Sequence, residues 1–202
     1  INWMVHTTKT LAKEIQGCMV GYTQSDEISF IMSSRQSLEA EPWFANRVQK
    51  IVSISASIAT AKFNRYLWEE NKDFSANFDC RIFVLPDIIE CYNYLLWRQQ
   101  DCIKNSISAT AYYKIGEKLG RGTTQKLIHN LNGEERKQLL LKECNIKWED
   151  FPNEFKNGMF VIKKPVETNI NGINVMRKIW TTEPIIINID LFKKIVEEYE
   201  NK

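Results

Sequence analysis

Apolar positions fall at helical spacing over residues 4–15, where Met4, Val5, Leu11 and Ile15 are separated by Lys9, Lys13 and Glu14, and predict an amphipathic helix. The period then changes. Cys18 to Tyr22 and Ile28 to Met32 read as two strands around a polar turn, Thr23-Gln24-Ser25. A polar loop follows, ending near Pro42. From Trp43 to about Leu67, Val48, Ile51, Val52, Ile54, Ile58 and Ala59 restore a helical pattern. Its β-branched content lowers intrinsic propensity, so burial has to stabilise that helix. The polar stretch 69–77 is a loop. Phe78 to Leu85 predicts a strand stopped by Pro86, and Asp87 predicts the N-cap of a long helix from Ile88 to Ile115.

The pattern over 116–158 is more broken, with short helical pieces between Gly116, Gly120, Gly122 and Gly133 and the clearest helix at Glu134–Glu143. Met159–Ile162 and Val175–Trp180 predict strands, Asn171-Gly172 a hairpin turn, and Leu191–Tyr199 a closing helix. Through residue 115 the order is helix, two strands, helix, strand, helix. With one strand in front, this is the βαββαβ order of a ferredoxin-like sheet, the palm-type layout. The expected class is therefore α+β, with helices on one face of the sheet. Residues 1–115 form a palm-like domain, and residues 116–202 a helical and β extension packed on it. The chain opens within a helix and without Met, so a preceding segment is expected.

Composition narrows the class rather than the chemistry. The chain is 44% hydrophobic and 26% charged, which fits a globular domain and excludes extensive disorder. Apolar runs such as Ile185-Ile186-Ile187 are too short to span a bilayer, and no signal peptide is visible, so a cytoplasmic or mitochondrial-matrix location is expected. A net charge of +2 permits an RNA or nucleotide partner without requiring one. Five cysteines without a C-x-x-C pair, and two distant histidines, argue against zinc and disulfides and for reduced thiols.

Ser25-Asp26-Glu27 is the segment with chemical promise. Magnesium-assisted phosphoryl transfer needs hard oxygen ligands, and Asp26 is a short carboxylate at a hairpin mouth. Neighbouring strand residues face opposite sides, so a second ligand is expected from another strand rather than from Glu27. A solvated surface turn is the competing reading. Arg47 and Lys50, three apart, share one helix face and suit phosphate binding, though solvated surface charge fits them equally well. Trp97 reads as core more readily than as a base-stacking platform. Arg98 and Asp101 have the spacing of a helical ion pair.

Longer strings add a resemblance. Gly21 to Phe30, GYTQSDEISF, resembles the G-Y-x-Q-S-D-E-x-S-F segment of the tRNA-His guanylyltransferase family. Phe78-Asp79-Cys80-Arg81 resembles its F-D-x-R strand, and Tyr94 to Asp101, YLLWRQQD, its Y-L-x-W-R-Q-x-D helix. Trp43-Phe44 with Arg47 and Lys50 is similar to the start of the intervening helix. The strings come in family order within residues 1–165. The resemblance implies a palm-type nucleotidyltransferase that uses two Mg2+ ions and joins nucleotides to tRNA 5′ ends. It implies that Asp26 is a metal ligand and catalytic, that Glu27 is its catalytic acidic neighbour, and that Ser25 lies near nucleotide phosphates. Arg47, Lys50 and Arg81 match triphosphate-contacting cations, and Asn105 a polar nucleotide-site position. ATP, GTP and other NTPs are the implied substrates, tRNA the partner, and a homotetramer the implied assembly, with no membrane association.

The sequence departs from the family in two places. The second metal-binding Asp belongs to a D-G-x-x-F-H-type motif on an N-terminal strand, which is expected before Ile1. Ile103 stands where eukaryotic members carry His in D-C-H-I-N-N. Together with Lys104 to Ile107 and Ile162 to Val166, it is closer to the bacterial, archaeal and mitochondrial like-protein branch. That branch implies template-dependent repair of 5′-truncated tRNA after ATP-dependent 5′ activation, with guanine addition to tRNA-His as the alternative. Another palm-type transferase or cyclase acting without RNA, and a non-catalytic RNA-binding module, remain the other two readings.

Overall fold

The computed structural model describes residues 2–33, 41–170 and 172–200. Helix α1 (Asn2–Glu14) leads into the hairpin β1 (Cys18–Gln24) and β2 (Glu27–Met32). After a 3₁₀ turn at Trp43–Asn46 come α2 (Val48–Glu69) and the 32-residue α3 (Ile88–Leu119). Then follow α4 (Arg121–Ile128), α5 (Gly133–Cys144), α6 (Asn153–Asn157), β3 (Met159–Ile170), β4 (Ile173–Glu183) and α7 (Ile189–Glu200). The four strands form one antiparallel sheet in the order β2-β1-β3-β4. Because β3 lies beside β1, the two parts expected at 1–115 and 116–202 share this sheet.

The α+β class holds, but helices cover both faces rather than one. Alternation along the central strands explains this. Val20, Tyr22, Phe160 and Ile162 point to one face, where Leu95 of α3 and Phe192 and Val196 of α7 close over them. Gly21 and Val161 are register partners on the other face. There Val161 packs with Leu11 of α1 and Ile51 and Ala59 of α2. Both central strands are therefore apolar on both sides, as a doubly covered strand must be. Tyr22 and Phe160 are almost fully buried, with ring centroids 4.6 Å apart. Each contributes on the order of 2–3 kcal/mol through burial.

Phe78–Leu85 is not a ladder strand. The side-chain alternation is present, with Phe78 and Ile82 packed against the α2 face, but the backbone has no strand beside it among the described residues. Side chains of α2 serve its polar groups instead. Asn64 both donates to and accepts from the Ala76 backbone, and Thr60 Oγ1 accepts from the Phe78 N–H. The helix expected from Trp43 begins five residues later, because Phe44, Ala45 and Asn46 are left-handed (φ 51, 51 and 57). The long helix starts as its sequence predicts, with the Asp87 carboxylate accepting from the Glu90 N–H, but continues past the expected end at Ile115 to Leu119. The Asn171-Gly172 turn lies partly outside the described residues.

Gln99 and Gly158 fix the two halves of the molecule together. Gln99 is buried on α3. Its amide nitrogen donates to the carbonyls of Asn157 (3.0 Å) and Ile185 (2.7 Å), and its oxygen accepts from Ile187 N–H (2.9 Å). Gly158 has φ +70, and a Cβ there would lie 2.5 Å from Tyr22 Oη. Only glycine allows this approach of β3 to β1.

Candidate functional site

The hairpin turn is tighter than the sequence pattern suggests. β1 runs on through Thr23 and Gln24, which pair with Ile28 and Glu27, leaving a two-residue turn of Ser25 and Asp26. Thr23 and Gln24 are buried although polar, because Thr23 Oγ1 donates to the Glu27 carbonyl and Gln24 Nε2 to the Glu27 carboxylate at 3.2 Å. Ser25 takes the positive φ (47°) that such turns require. Ser25 and Asp26 are exposed at the tip, and the Asp26 carboxylate has no ion pair or hydrogen bond among the described residues.

Glu27 is held differently. Its carboxylate forms an ion pair with Arg98 of α3, whose side chain is 11% exposed. Arg98 also lies 3.7 Å from Asp101, which accepts from Asn105 Nδ2 at 3.1 Å. A polar line therefore runs Gln24–Glu27–Arg98–Asp101–Asn105 beside the exposed Asp26. Spacing along α3 gave only the Arg98–Asp101 pair; the shorter contact, to Glu27, comes from the sheet. Beneath it, burial pushes the Tyr22 phenol well above its ordinary range, so Tyr22 remains a neutral donor to the Asn157 carbonyl at 2.8 Å.

Trp97 is not a core residue. It is 58% exposed, with the Arg98 guanidinium 4.8 Å from its ring centroid. Tyr94 continues the row toward Phe83 and hydrogen-bonds Ser29 across the helix–sheet contact (2.9 Å). Gln24, Arg98 and Asp101 were all present in the family strings; what spacing did not reveal was their connection.

The candidate cations gather elsewhere. Arg47 immediately precedes α2 without capping it, and with Lys50, Gln16 and Glu41 it lines a hollow of about 340 Å³. The Lys50 ammonium lies 4.7 Å from the Phe44 ring centroid, over its face. No side chain caps α2 and no acidic residue occupies its first turn, so its N-terminal N–H groups are available to an anion. Arg81 is 88% exposed and, among the described residues, paired only with the similarly exposed Asp79. Contacts between the 76–82 segment and α2 advance from Asn64 to Thr60 to Ser55, which carries Arg81 toward the same end of that helix. Gln16 in the hollow adjoins the start of β1. Asp26 follows the other end of that strand, which is about 20 Å long. The structure thus brings Glu27 and Asn105 into one network next to Ser25 and Asp26, and places Arg47, Lys50 and Arg81 toward another end.

Other candidates have structural partners. Arg136 ties α4 to α3 through the Ile128 carbonyl and Ser108, and Lys137 pairs with Glu134 and Glu149. Ile103 packs with Ile107, Ala111 and Trp148. The cysteines are free, with Cys18 and Cys102 buried; burial pushes the Cys18 thiol up to about 12. Among the described residues no three His, Cys, Asp or Glu side chains form a metal-binding group. No helix among them is long and apolar enough to cross a membrane.

Residues 1–86 match the family model described as tRNAHis guanylyltransferase, and residues 90–197 match that of the Thg1 C-terminal domain. The chain belongs to the tRNA-His guanylyltransferase family. This is a family of nucleotidyltransferases. The tRNA(His) guanylyltransferase of Debaryomyces hansenii is 30% identical over 173 residues, covering 80% of this chain. The chain spans 62% of that relative's own length. A bacterial tRNA(His) guanylyltransferase-like protein in complex with ATP superposes with a TM-score of 0.78 at 37% identity, covering 98% of this chain and 77% of its own. Its counterpart in complex with GTP gives 0.73 and 35%, with the same coverage.

Proposed function

We propose that this chain adds nucleotides to tRNA 5′ ends in the 3′-to-5′ direction, repairing 5′-truncated tRNA under the guidance of the 3′ strand of the acceptor stem. The observation that carries this reading is the unengaged Asp26 carboxylate, set on a two-residue turn beside the Glu27–Arg98–Asp101–Asn105 line in a chain of this family. Identity to the like-protein structures and Ile103 in place of the eukaryotic His favour repair over single guanine addition.

Asp26 fits Mg2+, which takes one or two carboxylates and completes its shell with phosphate oxygens and water. An ion there would supply Lewis acidity and lower the pKa of a bound hydroxyl. The chain's own residues do the positioning. Arg98 holds the Glu27 carboxylate in place beside the turn. Ser25 offers a hydroxyl and an exposed backbone at the tip, where a phosphate of the incoming nucleotide or the tRNA 5′ end can sit. Arg47, Lys50 and the free start of α2 suit a triphosphate, with Arg81 near by. Their separation from Asp26 fits a reaction with two nucleotide-dependent stages, activation of the 5′-monophosphate and attack by the 3′-hydroxyl of an incoming NTP. A homotetramer would set the cation end of one copy against the RNA bound by another.

The test uses the complete protein with 5′-truncated, 5′-monophosphorylated tRNA, ATP, the four NTPs and magnesium. Extension that follows the template strand supports repair. Addition of one guanine, confined to tRNA-His, would replace it with the guanylyltransferase role. RNA binding without extension would identify a non-catalytic module, and NTP turnover without RNA a different transferase.

A further inference from the structure

An aromatic shelf runs from Phe83 across Tyr94 to Trp97. Phe83 stands edge-on to Tyr94 at 5.3 Å between ring centroids, and Tyr94 is tilted against Trp97 at 6.4 Å. Single exposed apolar side chains are ordinary, but a contiguous row marks a surface that meets something. Phe83 and Trp97 each leave more than half of their surface exposed. Trp97 is defined further by what lies under it. The Arg98 side chain is nearly buried, and the Trp97 ring beside its guanidinium supplies part of that cover. The protein therefore uses one side of the indole and leaves the rest of the ring open.

The shelf leads to the candidate site. Tyr94 meets Ser29, and Arg98 meets Glu27, two residues nearer the turn on the same face of β2. Helix α3 therefore advances toward the hairpin turn, and Trp97 is joined to Asp26 through Arg98 and Glu27. Asp101 and Asn105 continue that side of α3 and supply a carboxylate and an amide. An apolar protein surface laid over Trp97 would also press on the Asp101 carboxylate without offering it a donor, which is costly. A flat base fits better. It covers the ring with its own π-face and meets the polar margin with its hydrogen-bonding edge.

We propose that Trp97 is a stacking platform for a nucleobase beside the Asp26 turn; as part of an enzyme acting on tRNA 5′ ends this rests on the function proposed above. Every base has a π-face, so the platform adds affinity with little preference among bases. Two sources can supply that base, a free nucleoside triphosphate and the terminal nucleotide of the tRNA. Recognition is the same for both, and the phosphate of either can sit at the turn.

The experiment measures two kinds of binding to the complete protein in magnesium: ATP and GTP by equilibrium dialysis, and 5′-truncated, 5′-monophosphorylated tRNA by fluorescence anisotropy. Trp97→Leu keeps an apolar cover beside Arg98 and removes the ring. It should weaken at least one of the two by about tenfold, the scale of a lost base–aromatic stack. Trp97→Phe, which keeps a stacking face, should recover most of that loss, and the two variants should unfold in urea alike. A change confined to ATP and GTP assigns the platform to the incoming nucleotide, one confined to tRNA assigns it to the terminal base, and a change in both means that each occupies it in turn. Unchanged binding of both in Trp97→Leu would overturn the platform. So would equal losses in the Leu and Phe variants with lowered stability, which would make Trp97 a cover for the Glu27–Arg98 pair. Loss of self-association by sedimentation with both affinities intact would also overturn it, and would give the shelf to a second copy of the chain. The expected losses in a protein that shows no 5′ extension would leave the platform standing and remove the repair reading.

Discussion

The two ends of the β1–β2 hairpin are built on opposite terms. At the turn, Glu27 is gripped by Arg98, Arg98 is nearly buried, and Asp101 and Asn105 extend the line along α3. Charge there is balanced and held by the protein itself. At the other end, Arg47 and Lys50 face a hollow at an uncapped helix start, and Arg81 stands in solvent. Charge there is left largely to solvent. On the function proposed above, the contrast has a physical reason: metal-assisted chemistry needs its carboxylates oriented before substrate arrives, whereas a triphosphate brings its own organising charge.

The largest effect is expected at Asp26, which belongs to the ordered end and is itself unengaged. Asp26→Ala should reduce nucleotide addition by at least about 10²-fold, the scale expected when a group that stabilises developing charge is lost. The fold should be untouched, since the carboxylate is exposed and has no hydrogen bond or ion pair among the described residues. Single-turnover assays beside thermal melts check both halves, and retained activity would remove the metal assignment. Arg98→Ala comes next. Removing a charged donor whose partner stays in place costs about 2 kcal/mol of stability, read from urea unfolding, and Glu27 should lose its orientation with a fall in addition rate. Arg98→Lys should recover less than half of that loss, because one ammonium cannot replace the planar fork that reaches Glu27 and Asp101.

The loose end should respond in the opposite sense. Arg47→Ala and Lys50→Ala should leave stability within about 0.5 kcal/mol, as surface substitutions do. The KM for the nucleotide used in 5′ activation should rise by about tenfold, the worth of one charge-assisted phosphate contact. An equal fall in stability and nucleotide use would mean that these cations are structural, and the contrast between the two ends would disappear.

The reach of the sequence follows the same division. The Asp87 cap, the length of α3 and the hydrophobic faces of α1 were legible because they depend on residues within a turn of one another. The hairpin turn was misplaced because Thr23 and Gln24 look like turn residues. Only the packing of β1 between two helical layers buries them, and Glu27 then satisfies them. Phe78–Leu85 shows the limit of alternation, which reports which side chains are covered but not whether a backbone lies alongside to complete a ladder. The family strings contained Gln24, Glu27, Arg98 and Asp101, yet spacing could join Arg98 only to Asp101. Its stronger partner is in another element, and no periodicity connects a helix to the strand it will meet.

The smallest effect should come at the far end of that line. Among the described residues Asn105 holds only Asp101, at 3.1 Å on an exposed helix face, and Asp101 lies at the long end of its contact with Arg98. Asn105→Ala should therefore cost about 0.5–1 kcal/mol at most, the net worth of a solvent-accessible hydrogen bond. If Asn105 serves only this line, addition should fall no further than the slight loosening of Arg98 allows, and Asp101→Asn combined with Asn105→Ala should be no worse than Asp101→Asn alone. If Asn105 touches nucleotide, the KM should rise without a matching change in unfolding, and the double variant should lose more than either single one. Non-additivity in the first case against additivity in the second, measured as a double-mutant cycle in both KM and stability, separates a residue that positions its neighbour from one that reaches the substrate.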